Sequence, residues 1–232
     1  MFIGHFAPAF IAAAHPRAPR LGTLFIAAQL VDFAFFGLVL LNVEKMRITA
    51  GMTVMNAMDL YYMPYTHSLA GSVIFAAAMA CVIFIRSKNS VGAILTAGVV
   101  LSHWFVDFLV HAPDLTLFGY APKIGLGLWN YPMIEMPLEL AMTAGAFAFY
   151  LIHMRRRNIG RLPVQSVMPS FMPAFMPVLI LGAALLALQL YSWLAPQPVR
   201  YDPSIAISGL LAFGLLCWLA YRTDRNQKAN RV

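Results

Sequence analysis

The sequence predicts an all-α integral membrane protein, a polytopic bundle of about six transmembrane helices with a short N-terminal re-entrant or interfacial helix. Three observations predict it. Of 232 residues, 61% are hydrophobic and 11% charged, against about 45–50% and about 25% in an ordinary soluble domain. The mean hydropathy of +0.73 leaves too little polar surface to cover a water-soluble body. Six apolar stretches, at 21–41, 66–85, 91–111, 134–153, 175–195 and 204–221, each approach the 20 or so residues that cross a hydrocarbon core of about 30 Å. The whole chain, 1–232, reads as one transmembrane domain.

Taken in order, the first element is the apolar stretch 2–14, too short to span. No basic n-region precedes it, so it reads as a re-entrant or interfacial helix rather than a signal peptide. The connecting segments follow the positive-inside rule. With a cytoplasmic N-terminus, Arg17, Arg20, Arg86, Lys88, Arg155, Arg156, Arg157, Arg161, Arg222, Arg225, Lys228 and Arg231 fall inside, and only Lys45, Arg47, Lys123 and Arg200 outside. Both termini are thus expected in the cytoplasm. Because the 16 basic residues lie between apolar runs rather than along one face, they mark topology and not a nucleic-acid partner. Cys81 and Cys217 sit inside apolar runs without metal or disulfide spacing. Met168-Pro169, Met172-Pro173 and Met176-Pro177 recur every four residues before the fifth span, where regular proline works against a continuous helix and suggests an interfacial connector.

The acids carry the functional signal. An ionisable group at the centre of a span costs roughly 2.5–3.5 kcal/mol on insertion scales. Asp32 lies midway along the first span, Asp107 in the third, and Glu135 and Glu139 in the first turns of the fourth. No Lys or Arg lies interior to any of the six spans. These carboxylates must therefore be protonated, paired with histidine, or neutralised by a bound cation.

Histidines supply the partners. In the third span, His103, Asp107, His111 and Asp114 fall within an arc of about 80° at 100° per residue, so two imidazoles and two carboxylates share one helix face. Counted at about 1.5 Å per residue from the cytoplasmic ends, Asp32 lies about 16 Å up, His103 about 18 Å, Glu139 about 21 Å, Asp107 about 24 Å and His67 about 27 Å. Five groups from four helices converge in the outer half of the bilayer. Thr66 or Ser68 can cap the second span beside His67, and a re-entrant N-terminal segment brings His5 near the midplane. Imidazole with carboxylate suits a divalent metal, zinc first, with iron or manganese where carboxylates dominate.

Gly4-His5, Asp32 after a small-residue run, Thr66-His67-Ser68-Leu69, Ser102-His103 with Asp107, and Gly127-Leu128-Trp129-Asn130 together resemble the bacterial YdjM-type inner-membrane proteins, catalogued as membrane-bound metal-dependent hydrolases. The resemblance covers residues 4–139; the two spans within 155–232 carry no matching motif. It implies an inner-membrane location and a metal site of His5, Asp32, His67, His103 and Asp107. Where many members have an Asp-x-Asp-His cluster, this chain has Leu30-Val31-Asp32-Phe33, which leaves a single metal, or none, rather than a two-metal centre.

The expected function is a membrane-embedded metal-dependent hydrolase acting on an ester or phosphoester of a lipid or amphiphile, with metal-activated water as nucleophile. His67, His103 and Asp107 would hold the metal, with Asp32 as a further ligand or as the base. Glu139, Glu135, His111, Asp114, Ser68, Ser102 and Asn130 are candidate supporting residues. Against that, Glu135 and Glu139 also suit a helix N-terminus on electrostatic grounds, and the Ala112-Pro113-Asp114 after His111 is also a helix stop. His15 and His153 read as interfacial anchors, and Trp104, Trp129, Tyr61, Tyr62 and Tyr65 as an aromatic belt. The rivals are a proton- or ion-coupled permease using the same Asp/His cluster, and a structural membrane protein. The sequence leaves the oligomeric state open.

Overall fold

The computed structural model describes residues 1–159 and 171–229. A 3-10 turn (Ile3–Phe6) leads into α1 (Ala7–Ala13), followed by α2 (Leu21–Ala28), α3 (Leu30–Leu40), β1 (Lys45–Ile48), β2 (Met58–Tyr62), α4 (Leu69–Ser87) and α5 (Ser90–Val110). Then come β3 (Leu115–Thr116), β4 (Lys123–Ile124), a 3-10 turn (Leu128–Asn130), α6 (Pro132–Ile159), α7 (Phe171–Leu194) and α8 (Pro203–Ala229). Helices α4 to α8 are each long and apolar enough to cross a membrane, and α2 with α3 makes a sixth, bent span. The protein is a multi-pass helical membrane protein. Ile74, Ile94 and Leu211 remain about 70% exposed on outward faces, as a surface solvated by lipid tails allows.

The N-terminal helix is buried rather than interfacial. Phe6 and Phe10 are fully buried, and both rings pack on Phe25 of α2, with Phe10 also against Phe147 and Tyr150 of α6. Seven residues cannot cross a bilayer; α1 instead plugs the bundle and carries His5 into its interior.

The first span is not one helix. It breaks at Gln29, where α3 turns 51° from α2. Asp224 of α8 receives the backbone N–H groups of Leu21 and Gly22 at 3.1 and 3.0 Å, so a carboxylate meets the positive end of α2. The second span, α4, starts at Leu69, three residues later than the hydropathy suggests, because Ser68 caps it by accepting the Gly71 N–H at 3.0 Å. Asn89 caps α5 and also donates to the Arg17 carbonyl at 2.7 Å, closing the α4–α5 hairpin onto the chain before α2.

Two short antiparallel ribbons, unexpected from the sequence, occupy one end of the bundle. In the first, β1 pairs with β2 and Arg47 holds Asp59 at 2.6 Å. In the second, β3 pairs with β4. The Ala70 N–H donates to the Leu117 carbonyl at 2.9 Å, and a bridge joins Ser68 to Thr116. These bonds seat the entry to α4 against the exit from α5. Met168-Pro169 lies outside the described residues, but α7 runs through Met172-Pro173 and Met176-Pro177 with Pro177 inside the helix, so that stretch is helix and not an interfacial connector. Trp104 leaves the proposed aromatic belt: it is 5% exposed and stacks on Phe108.

A buried histidine–aspartate centre

Asp107 of α5 is the hub. Its Oδ1 lies 3.0 Å from His5 Nε2 and 3.3 Å from His111 Nε2, and its Oδ2 lies 3.1 Å from His103 Nε2 and 3.6 Å from His67 Nε2. The Met1 nitrogen is 3.6 Å from Oδ1. Asp32 Oδ1 closes the cluster at 3.4 Å from His67 Nε2 and 3.5 Å from His103 Nε2. The rings of His5 and His103 stack with centroids 3.8 Å apart. Five elements converge here: the N-terminal turn, α3, the residues before α4, α5, and the segment after α5.

Neighbouring groups fix the tautomers. His103 Nδ1 lies 2.8 Å from the Ala28 carbonyl at the helix break; a carbonyl only accepts, so Nδ1 carries the proton. Thr66 donates its hydroxyl proton to Glu44 at 2.6 Å, and its oxygen therefore accepts from His67 Nδ1 at 2.9 Å. His111 Nδ1 donates to Asp114 at 2.9 Å. In the neutral rings, three Nε2 lone pairs are thereby turned toward carboxylate oxygens. Lone pairs facing lone pairs repel unless positive charge lies among them. His103 Nε2 and Asp107 Oδ2 are both buried and neither makes a hydrogen bond.

Spacing tests whether a metal suits these groups. Three of the four contacts that His67 and His103 make with Asp32 and Asp107 measure 3.4–3.6 Å, beyond the 2.7–3.2 Å of a good hydrogen bond. Ligand atoms about 2.1 Å from a tetrahedral cation stand about 3.4 Å apart. Two triads, His5/Asp32/His103 and His67/His103/Asp107, have their ligand atoms mutually within 4.8 Å. Each of His67, His103 and His111 has the outer hydrogen bond that orients metal-binding imidazoles. The cluster is able to hold a metal ion.

The structure thus brings together His5, Asp32, His67, His103 and Asp107, with His111 against Asp107 and Asp114 behind His111. The helix ends at Val110, but His111 keeps a helical φ of −62° and its N–H still bonds the Asp107 carbonyl at 2.8 Å, so 103, 107 and 111 share the helix face as expected. The backbone turns extended after His111, and Asp114 lies beyond the helix, against His111. Ser68 serves as a cap, Ser102 bonds the Val99 carbonyl of its own helix at 2.7 Å, and Asn130 is exposed; none of the three touches the centre. Glu139 is a clamp: Oε1 accepts the Phe2 and Gly4 N–H groups at 2.6 and 3.0 Å, and Oε2 accepts from Gln189 at 2.8 Å.

Sequence reasoning missed Glu44, Thr66 as its partner, and Gln189, whose Oε1 receives the Ile3 N–H at 3.3 Å. Glu44, just past the first span, is 1% exposed and accepts three bonds from Tyr65 and Thr66. A Thr66→Val protein, which breaks the His67–Thr66–Glu44 chain while keeping the volume, is expected to bind metal about tenfold more weakly, measured by competition with a chelating dye.

The centre opens into a cavity of about 710 Å³, lined by Asp32, His67, Asp107, His111, Glu135 and Glu139 at one side and by apolar residues of α3, α7 and α8 at the other. Comparison with family models, with curated proteins and with solved structures finds no match to this chain. Fold and site together define a multi-pass membrane protein with a buried histidine–aspartate cluster fit for a metal.

Proposed function

We propose that the protein is a membrane-embedded metal-dependent hydrolase that cleaves an ester or phosphoester of a lipid or amphiphile. The observation that carries this reading is the set of imidazole lone pairs turned onto Asp32 and Asp107 beside a mostly apolar cavity. His67, His103 and Asp107 would hold the metal, with His5 completing the set and Asp32 left as the base; zinc suits this donor mixture, and iron or manganese are alternatives. A bound divalent cation supplies Lewis acidity, polarising a substrate oxygen and bringing the pKa of coordinated water toward about 7.

The chain's own groups divide the remaining work. Asp32 has an 18% exposed side chain against 3% for Asp107 and lines the cavity, so it is the carboxylate placed to take a proton from water. Asp107, ringed by four imidazoles, is a holding group. The apolar wall, including Phe36, Leu188, Phe213 and Leu215, receives the hydrocarbon part of the substrate and keeps bulk water away. In this reading both termini lie in the cytoplasm, on the strength of the basic-residue distribution, the membrane is a bacterial inner membrane, as the resemblance implies, and the cavity faces the outer leaflet.

The test is turnover of a chromogenic amphiphilic ester and phosphoester by purified protein. Hydrolysis that stops with a chelator and returns with zinc or manganese supports the reading. An Asp32→Asn protein is expected to lose 10²–10⁴-fold in kcat, the usual worth of a general base. Absence of turnover, together with metal-free, pH-driven uptake into liposomes, overturns it. One observation favours that second reading, a permease: the first span is broken at Gln29, whose buried amide makes no hydrogen bond, and broken helices line transport sites.

A further inference from the structure

We propose that the cavity binds a primary ammonium group through Glu135, so that the amphiphile it admits carries an amine in its head group. This deepens the hydrolase reading and rests on it only for the fate of the bound molecule. Glu135 is 1% exposed, lines the cavity, and neither of its carboxylate oxygens has a hydrogen-bond partner. A buried carboxylate left in that state is costly and calls for a cation with donors.

The other charges around the cavity are already engaged. Glu139, one turn further along the same face of α6, spends its oxygens on Phe2, Gly4 and Gln189. Asp32 and Asp107 face imidazoles, and the Met1 nitrogen is turned to Asp107. Among the described residues no Lys or Arg lines the cavity. With Asp32 and Asp107 set against a divalent cation, Glu135 is the cavity carboxylate whose two oxygens no hydrogen-bond donor serves. An anionic head group is therefore excluded by repulsion at this wall, and a cationic or zwitterionic one is drawn in.

Two vacant oxygens distinguish among cations. A quaternary ammonium offers charge but no N–H, whereas a primary ammonium offers three donors and can serve both oxygens. Glu135 lies about 6 Å of helix rise from Glu139, which itself holds the turn carrying His5. The amine subsite is therefore adjacent to the centre, with the apolar wall left for the tail.

Binding of dodecylammonium and of its uncharged counterpart N-dodecylacetamide, titrated by calorimetry into zinc-supplemented protein in detergent, tests this without requiring turnover. The expected result is at least about tenfold tighter binding of dodecylammonium, since a charge-assisted hydrogen bond is at stake. Glu135→Gln should remove that preference while leaving N-dodecylacetamide binding unchanged, which also shows that the variant is folded. Equal affinity of the wild type for the two amphiphiles, or a preference that survives Glu135→Gln, overturns the proposal. An amine preference in a protein that hydrolyses nothing sinks the hydrolase reading alone.

Discussion

An Asp107→Asn protein is expected to fold, to insert, and to retain almost no transition metal. Asp107 is the one group in contact with His5, His67, His103 and His111 together, so its loss affects every candidate ligand set built around it. The loss of affinity should exceed the 10–100-fold that follows from changing a residue behind a ligand. Asparagine is nearly the same size, and its amide N–H groups can donate to the imidazole nitrogens that the carboxylate oxygens only repel. The variant should therefore be at least as stable as metal-free wild type. The wild type should gain about 2.7 kcal/mol at a free metal concentration 100 times Kd; the variant should gain nothing. Thermal unfolding with and without added zinc measures both.

Glu139→Ala is expected to have the largest effect on stability. Glu139 accepts from the backbone of Phe2 and Gly4 and from Gln189, and it is 1% exposed. A buried donor left unpaired costs roughly 1–3 kcal/mol, so three of them cost about 3 kcal/mol or more. The damage should be local first: the turn carrying His5 is freed, and amide exchange in 2–13 rises ahead of α4 and α5. Glu139→Gln keeps one oxygen for Phe2 and Gly4 and should cost clearly less. If the two substitutions are equivalent, Glu139 does not act as a clamp.

Much of this fold was legible because a bilayer imposes a simple rule: about 20 apolar residues per crossing. Helices α4, α5 and α7 lie within a few residues of the stretches that hydropathy marks, while α6 and α8 start where expected and run on past them to Ile159 and Ala229. The break at Gln29 was not legible, since composition does not show that the Ala28 carbonyl is taken by His103 from another helix. The ribbons were hidden because their residues lie between spans, where hydropathy says little. In the site, the orphan acids Asp32 and Asp107 stood out because no Lys or Arg lies at depth to pair with them. His111 was legible too, as the i+4 neighbour of Asp107 at the helix end, whereas Asp114 reaches His111 from beyond the helix, where periodicity no longer applies. Gln189 and Glu44 escaped because an uncharged amide and an acid beside a span carry no motif; only the folded chain shows what they hold. The buried α1 was half legible: too short to span, yet with Phe6 and Phe10 placed to fill the bundle.

Elemental analysis of wild-type protein, extracted from membranes and purified without chelator, bears on the centre most directly. The account predicts a near-stoichiometric transition metal that is absent from Asp107→Asn prepared in parallel. Wild-type protein that holds no metal, and whose unfolding temperature does not move on adding zinc, iron or manganese, would contradict it: protons on the histidines, rather than a metal, would then balance Asp32 and Asp107.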